Sequence, residues 1–236
     1  MSSKLCGLLS ATFVEPGYDH LVELIHQRDP FAHRHLASLD VSIHAPNGRQ
    51  LGLVAVDPHQ EVLDLAALVR GTTAGGERVM VLFDARYDER IFPYRPHHYA
   101  YLHRQGSSAP ALYYAVNAVL GGVPDRIGTT RINNFETYLF RSVPFAERYS
   151  VLLGNLSRFT SARARAFTYY DGARVVHDVA LGPKAHAEID LSRERDGAPL
   201  GRVEVKAPFR LATYVLGRHS GSGDLVLFDH LFTYFK

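Results

Sequence analysis

Two halves of this chain repeat the same pattern. APNGRQLGLVAVDP (residues 45–58) has a counterpart in YYDGARVVHDVALGP (169–183), and the two stretches run on to Leu63-Asp64-Leu65 and Ile189-Asp190-Leu191. RVMV (78–81) matches RVEV (202–205), and PYRPHHYAYLHR (93–104) matches PFRLATYVLGR (208–218). QGSSAPALYYA comes after Arg104 just as HSGSGDLVLFD comes after Arg218. Each pair is short, but four in one order predict a tandem duplication of a domain of roughly 90 to 110 residues, a common size. The expected boundaries are a first domain over 1–120, a connecting segment over 121–146 and a second domain over 147–236.

The repeated unit reads as strands. Period-two and short apolar runs dominate (ASLDVSIHA, LGLVAVD, ERVMVLFDA, HHYAYLHR, ALYYAVNAVL, YSVLLGNLS, ARAFTYY, GRVEVKA, ATYVLGR and LVLFDHLFTYF), bounded by Gly, Pro, Asn and Asp. Pro46-Asn47-Gly48 and Asp171-Gly172 suit tight hairpins, where a positive φ is needed. Helical periodicity is confined to His20–Gln27 and Glu61–Arg70, each long enough for two turns. The predicted fold class is all-β, a tandem duplication of an antiparallel β-sandwich domain. Within 121–146, INNFETYLF is too apolar for a flexible linker. It is expected to add a strand to one domain or to pack in a seam, fixing the pair rigidly.

Charge and cysteine content narrow the function classes. Lys+Arg 26 against Asp+Glu 24 gives a net charge of +2, too balanced to argue for a nucleic-acid surface. The cations are almost all Arg, from bidentate anion recognition or from coding bias. Cys6 is the only cysteine, so no intrachain disulfide forms. The N-terminal apolar patch ends at Glu15 and Pro16, too early for a secretion signal or a membrane span. A cytoplasmic protein with no membrane and no nucleic-acid partner is expected.

LGRHSGSGDLVLFDH (216–230) has the look of a phosphate cradle, with Arg218 at the lip of a glycine-rich turn. Such a cradle normally leads into a helix N-terminus. The next residues, DLVLFDH, are strand-like, so a hairpin loop between the last two strands of each domain is expected. No P-loop, dinucleotide fingerprint, nucleophile elbow, His-Glu-x-x-His or CxxC occurs, and no cofactor is expected.

Thirteen histidines raise the question of a metal. His33 and His35 share one strand face and His44 ends the same run, but no glutamate follows at close range and Asp40 is the only candidate carboxylate. The face of Asp40, Ser42 and His44 is expected to be wet, and no metal is expected. His97, Tyr99, Tyr101 and His103 lie on one strand face, with His98 on the other. That row either lines a ligand or partner surface by stacking and hydrogen bonding, or is a solvated or domain-facing side. Arg104 and Arg218 each close a strand before a hairpin, so the duplication places them equivalently. There they grip an anionic group or keep an edge soluble.

LLGNLSRFTSARARAFTYYDGARVVHDVALGPKAHAEIDL resembles the small β-sandwich module of the sensory rhodopsin transducer family, soluble bacterial proteins that bind small ligands or signalling partners. Asn155, Tyr170, Asp171, Gly172, Ile189, Asp190 and Leu191 carry the resemblance, over about a third of the chain. These are turn and core residues. The resemblance implies a bacterial β-sandwich and transfers no site residue.

The leading expectation is a non-catalytic binding or interaction protein. Its small-molecule or protein partner would sit at the domain seam or on the His97/Tyr99/Tyr101/His103 strand. The alternatives are an enzyme with an interdomain cleft using Arg218, His219, Asp229 and His230, and a homo-oligomer subunit using edge strands. Asp229 and His230 are expected to face away from each other as neighbours on a strand.

Overall fold

The structure, a computed structural model, describes residues 6–24, 34–57, 59–72, 76–88, 98–119, 134–140, 148–170, 173–191 and 200–233. The chain divides into two units, Met1–Val123 and Pro124–Lys236. Both are all-β and sandwich-like, built from antiparallel sheets.

The first unit contains β1 (Cys6–Val14), β2 (Tyr18–Glu23), β3 (Leu36–His44), β4 (Gln50–Val56), β5 (Val62–Asp64), helix α1 (Leu65–Arg70), β6 (Val79–Tyr87), β7 (Tyr99–Arg104), β8 (Leu112–Ala115) and β9 (Asn117–Val119). One sheet has the order β4-β3-β6-β1-β9 and the other β5-β2-β7-β8. The second unit contains β10 (Asn134–Leu139), β11 (Arg148–Gly154), β12 (Ala162–Tyr170), β13 (Ala173–Leu181), β14 (His186–Asp190), β15 (Leu200–Ala207), β16 (Ala212–Arg218), β17 (Leu225–His230) and β18 (Phe232–Thr233). Its sheets run β13-β12-β15-β10-β18 and β14-β11-β16-β17. The two orders correspond strand for strand. RVMV runs into β6 and RVEV lies in β15. The Tyr-rich and Val-rich matches fall on β7 and β16, and the stretches after them on β8 and β17.

Alternation builds the interiors. On β3, Leu39, Val41 and Ile43 are buried and Asp40 and Ser42 only half-buried, so one face of the pleat meets the core. Phe83 of β6 is fully buried against the ring of His98, 5.2 Å away, which ties the two sheets of the first unit. In the second unit Val203, Val205 and Ala207 of β15 meet Val151 and Leu153 of β11 in one apolar cluster. Burying a Val or Leu side chain fully contributes roughly 1.5–3 kcal/mol each.

Turn chemistry fixes the register. Gly48 takes φ +88°, the amide of Arg49 donates to Asn47 Oδ1 at 3.0 Å, and β3 and β4 pair beyond this turn. The Asp171-Gly172 turn lies outside the described residues. Asn155 is fully buried where β11 ends. Its Nδ2 donates to the carbonyls of Thr160 (2.8 Å) and Gly182 (2.9 Å), while Oδ1 accepts from the Ser157 amide. Tyr170 donates to the Leu191 carbonyl at 2.7 Å. Asn155 and Tyr170 therefore latch strand ends together.

Several expectations change. His20–Gln27 does not begin a helix: His20–Glu23 lies in β2, and 25–27 is outside the described residues. Tyr18, His20 and Val22 are buried between exposed Asp19 and Leu21, so the period-two burial outweighs a weak helical pattern. Only Leu65–Arg70 of the second predicted helix is helical, because Asp64 ends β5 and caps α1, its carboxylate accepting from the Ala67 amide at 2.9 Å. Within 121–146, Asn134–Leu139 forms β10 and pairs with β15 and β18 in the second unit. His44 is buried, not wet. The register shifts between Ile43 and His44, and the ring turns in to Ser42 Oγ (3.0 Å) and the Gly48 carbonyl (3.4 Å).

Candidate interaction face on the first unit

The sheet β5-β2-β7-β8 has one face against the interior and one turned outward. His98, Ala100, Leu102, Tyr114 and Val22 are buried on the inner side. Alternation then sends Asp19, Leu21 and Glu23 of β2, Val62 and Asp64 of β5, Tyr99, Tyr101 and His103 of β7, and Tyr113 of β8 outward. Pairing aligns them in rows. Asp64, Leu21, Tyr101 and Tyr113 form one, and Val62, Glu23 and Tyr99 the next.

This face exposes large apolar side chains side by side: Leu21 at 37%, Val62 at 49%, Tyr101 at 41% and Tyr113 at 64%. The rings of Tyr99 and Tyr113 are parallel, 3° apart in plane with centroids at 5.6 Å. Tyr113 donates to Glu23 Oε2 at 3.2 Å. Glu23 stands two strands away, so the Tyr113 side chain leans across β7. Tyr101 and His103 bring their rings to 6.4 Å. Asp19 accepts from Gln105 Nε2 at 2.7 Å at the end of the sheet.

Tyr99, Tyr101 and His103 are thus brought together, while His97 lies outside the described residues. Leu21, Val62 and Tyr113 join from strands that sequence reasoning did not connect to this face. The signal for Tyr113 was the Tyr113-Tyr114 doublet, in which alternation turns one ring out and one in. Leu21 was hidden by the helical reading of His20–Gln27.

The arginine pair is not equivalent. Buried Tyr18 begins β2 and buried Tyr149 is the second residue of β11, and they pair with Arg104 and Gly217 respectively. Arg218 pairs with Arg148, one step out of phase, next to a register shift at Gly217/Arg218. Arg218 instead donates to the Gly223 carbonyl at 3.3 Å within its own hairpin. There Gly223 takes φ +72°, its amide donates to the His219 carbonyl at 2.8 Å, and the Ser222 amide donates to His219 Nδ1 at 3.3 Å. The loop leads into strand β17, so no helix terminus completes an anion cradle. The short β18 lies beyond, so this hairpin does not join the last two strands.

The candidate catalytic group disperses as well. His219 pairs inside the loop, whereas His230 sits opposite Tyr214, four residues along β16 from Arg218, roughly 13 Å at strand rise. Asp229 and His230 do not avoid each other as alternation suggests: the carboxylate accepts the His230 amide at 2.8 Å and reaches the ring nitrogen at 3.3 Å.

Two buried ionisable groups were not anticipated. His20 is wholly enclosed, and burial pulls its pKa from 6.5 down to about 3. Its Nε2 shares a 2.8 Å hydrogen bond with Tyr114 Oη, which shares another of 2.5 Å with Thr12 Oγ1. Its Nδ1 finds no partner among the described residues. Glu136 of β10 is likewise buried, and desolvation raises its pKa against the opposing pull of Thr213, Arg210, Asn134 and His230. Thr213 donates to Oε2, Asn134 Nδ2 donates to Oε1 at 3.2 Å, and Arg210 Nε lies at 3.5 Å.

Elsewhere in the first unit a half-open cavity of about 450 Å³ lies between the β1–β2 turn and α1, with Glu15, Tyr18, Val69, Arg70, Glu77 and Gln105 in its wall. Glu15 there is buried and answered by Arg78 at 2.5 Å. Among the described residues no three His, Cys, Asp or Glu side chains are grouped to hold a metal. His35 pairs with Asp88 at 2.9 Å, and His33 lies outside the described residues. Among the described residues no helix is long and apolar enough to cross a membrane. No protein-family model, curated protein or solved structure matches the chain.

Proposed function

We propose that this protein is a non-catalytic binding protein whose partner surface is the outward face of β5-β2-β7-β8. One observation carries the reading: Leu21, Tyr101 and Tyr113 stand exposed in a single cross-strand row, with Val62 in the next. Solvated sheet faces normally alternate to polar residues, and contiguous exposed apolar side chains mark interaction sites. Tyrosine supplies contact area and a hydroxyl while losing little side-chain entropy. The dispersal of Arg218, His219 and His230 weighs against the enzyme alternative.

The chain has 13 tyrosines and no tryptophan, so tyrosine emission reports on binding directly. Titration with a panel of charged peptides and neutral oligosaccharides is expected to give saturable quenching with at least one class. The response should be lost in the Tyr101→Ser/Tyr113→Ser variant. Binding that survives the double substitution, or an unresponsive panel, overturns the reading.

A tandem duplication is part of the same proposal. The corresponding sheet orders and the placement of the matched segments support it. An experimental structure in which β6 and β15 fail to superpose when the sandwiches are aligned would remove it.

A further inference from the structure

We infer that the tyrosine face takes an arginine-bearing peptide segment of a protein partner, its guanidinium laid on Tyr101 and Tyr113, with Asp19, Glu23 and Asp64 supplying negative charge on the same face. This rests on the binding reading above and assigns the chemistry of the occupant.

The face has one sign of charge. Asp19, Glu23 and Asp64 alternate with its apolar residues, and His103 is the only basic type in the rows. Asp19 accepts only from the neutral amide of Gln105, and Asp64 only from the backbone of Ala67. Neither carboxylate has a cationic partner among the described residues. Asp19 lies opposite His103 and diagonal to Tyr101, and Asp64 stands across Leu21 from Tyr101, so the face that exposes the rings is complementary to a cation. The ring quadrupole favours a cation over its face, and the planar guanidinium both stacks on the ring and forks onto a carboxylate.

The second unit shows the arrangement complete within one sheet. Arg202 lies over the Tyr169 ring at 4.1 Å, Tyr169 donates to Glu204 at 2.9 Å, and Arg202 Nε reaches the same carboxylate at 3.3 Å. Tyr113 and Glu23 repeat that hydroxyl–carboxylate pair at 3.2 Å. On the first unit the guanidinium would come from the partner.

The equivalent face of the second unit is buried, with Leu152, Tyr214 and Leu216 fully enclosed, so the exposed arrangement belongs to the first unit. With Tyr18 and Tyr149 in register, Asp19, Leu21 and Glu23 correspond to Ser150, Leu152 and Gly154, and Tyr99, Tyr101 and His103 to Ala212, Tyr214 and Leu216. The acids of β2 and one of the paired tyrosines are specific to the first unit.

The test is calorimetric titration of the full chain at low salt with short capped peptides carrying two arginines, two lysines or two citrullines, and with a neutral oligosaccharide. The arginine peptide is expected to bind most tightly, lysine more weakly and citrulline, which keeps the shape without the charge, not measurably. Asp19→Asn/Asp64→Asn retains both hydrogen-bond acceptors and should weaken the arginine peptide about tenfold, within the range for two exposed ion pairs. Tyr101→Leu/Tyr113→Leu should abolish binding. Should that variant not fold, the Asp pair decides alone. Equal affinity for arginine and citrulline peptides, or indifference to the Asp substitutions, overturns the inference. Tyrosine-dependent binding of the oligosaccharide without the arginine peptide overturns the inference and leaves the binding face standing. Failure of every probe overturns both.

Discussion

Thr12 and Glu136 occupy corresponding places in the two units, opposite Val81 on β6 and Val205 on β15. In the first unit the hydroxyl of Thr12 leads through Tyr114 to a histidine held neutral. In the second a carboxyl is enclosed with Thr213, Asn134 and Arg210. The same backbone frame therefore tolerates two different polar interiors, and each must satisfy its groups locally because water is excluded. The proton linkages run in opposite directions. Below pH 6.5 the unfolded chain protonates His20 while the fold refuses the proton until about pH 3, so stability falls as pH drops through that window. Glu136 is raised above its ordinary 4.5, so the unfolded chain releases a proton that the fold keeps, and stability falls as pH rises from 4.5 towards the raised value. One polar interior is threatened by acid and the other by base.

Packing around these groups differs too, and gives the largest expected effect. Phe83 and Ala207 correspond, lying opposite Ser10 and Asn134, and both are fully buried. Phe83→Ala should cost about 3–5 kcal/mol through a cavity beside His98, and Ala207→Phe about 1–3 kcal/mol through overpacking. Denaturant unfolding of the full chain measures both. A mild Phe83→Ala with a severe Ala207→Phe would break the correspondence.

The pH windows come next. Relative to His20→Gln, the native chain should lose up to about 1.4 kcal/mol per pH unit as pH is lowered below 6.5. Relative to Glu136→Gln it should lose stability as pH is raised above 4.5. Unfolding curves from pH 4 to 8 for the three proteins provide the comparison, and parallel curves would contradict it. Thr213→Val removes the hydroxyl that donates to Glu136 and should cost about 1–3 kcal/mol. Its effect should shrink in the Glu136→Gln background, where no charge is at stake. Equal costs in the two backgrounds would detach Thr213 from the carboxyl. The smallest effect belongs to the exposed face: Tyr101→Ser should change stability by no more than about 0.5 kcal/mol. A larger loss would make that residue a packing element.

The strands were legible wherever alternation was strong, as in β3, β6 and β12, because period two is fixed by the pleat. β2 was obscured because Leu21 and Leu24 suit a helix as well as a strand, and only pairing with β5 and β7 resolves them. Tyr99, Tyr101 and His103 could be placed on one face from parity alone. Adding Leu21, Val62 and Tyr113 required knowing which strands are neighbours, which no local pattern states. Glu136 sat in plain view in INNFETYLF, sharing parity with Asn134 and Tyr138. Which side of β10 turns inward depends on β15 and β16. The Arg104–Arg218 match failed because the segment 208–218 is one residue shorter than 93–104, and a one-residue offset on a strand moves a similar letter to the other face.

The central claim is that the first unit, and not its counterpart, carries the binding face. Hydrogen–deuterium exchange of the full chain with and without the arginine peptide tests it most directly. Protection is expected in peptides covering β2, β7 and β8 (residues 18–23 and 99–115), with β11, β16 and β17 unchanged. Protection confined to 148–154 and 212–230, or none at a saturating peptide concentration, would contradict the account.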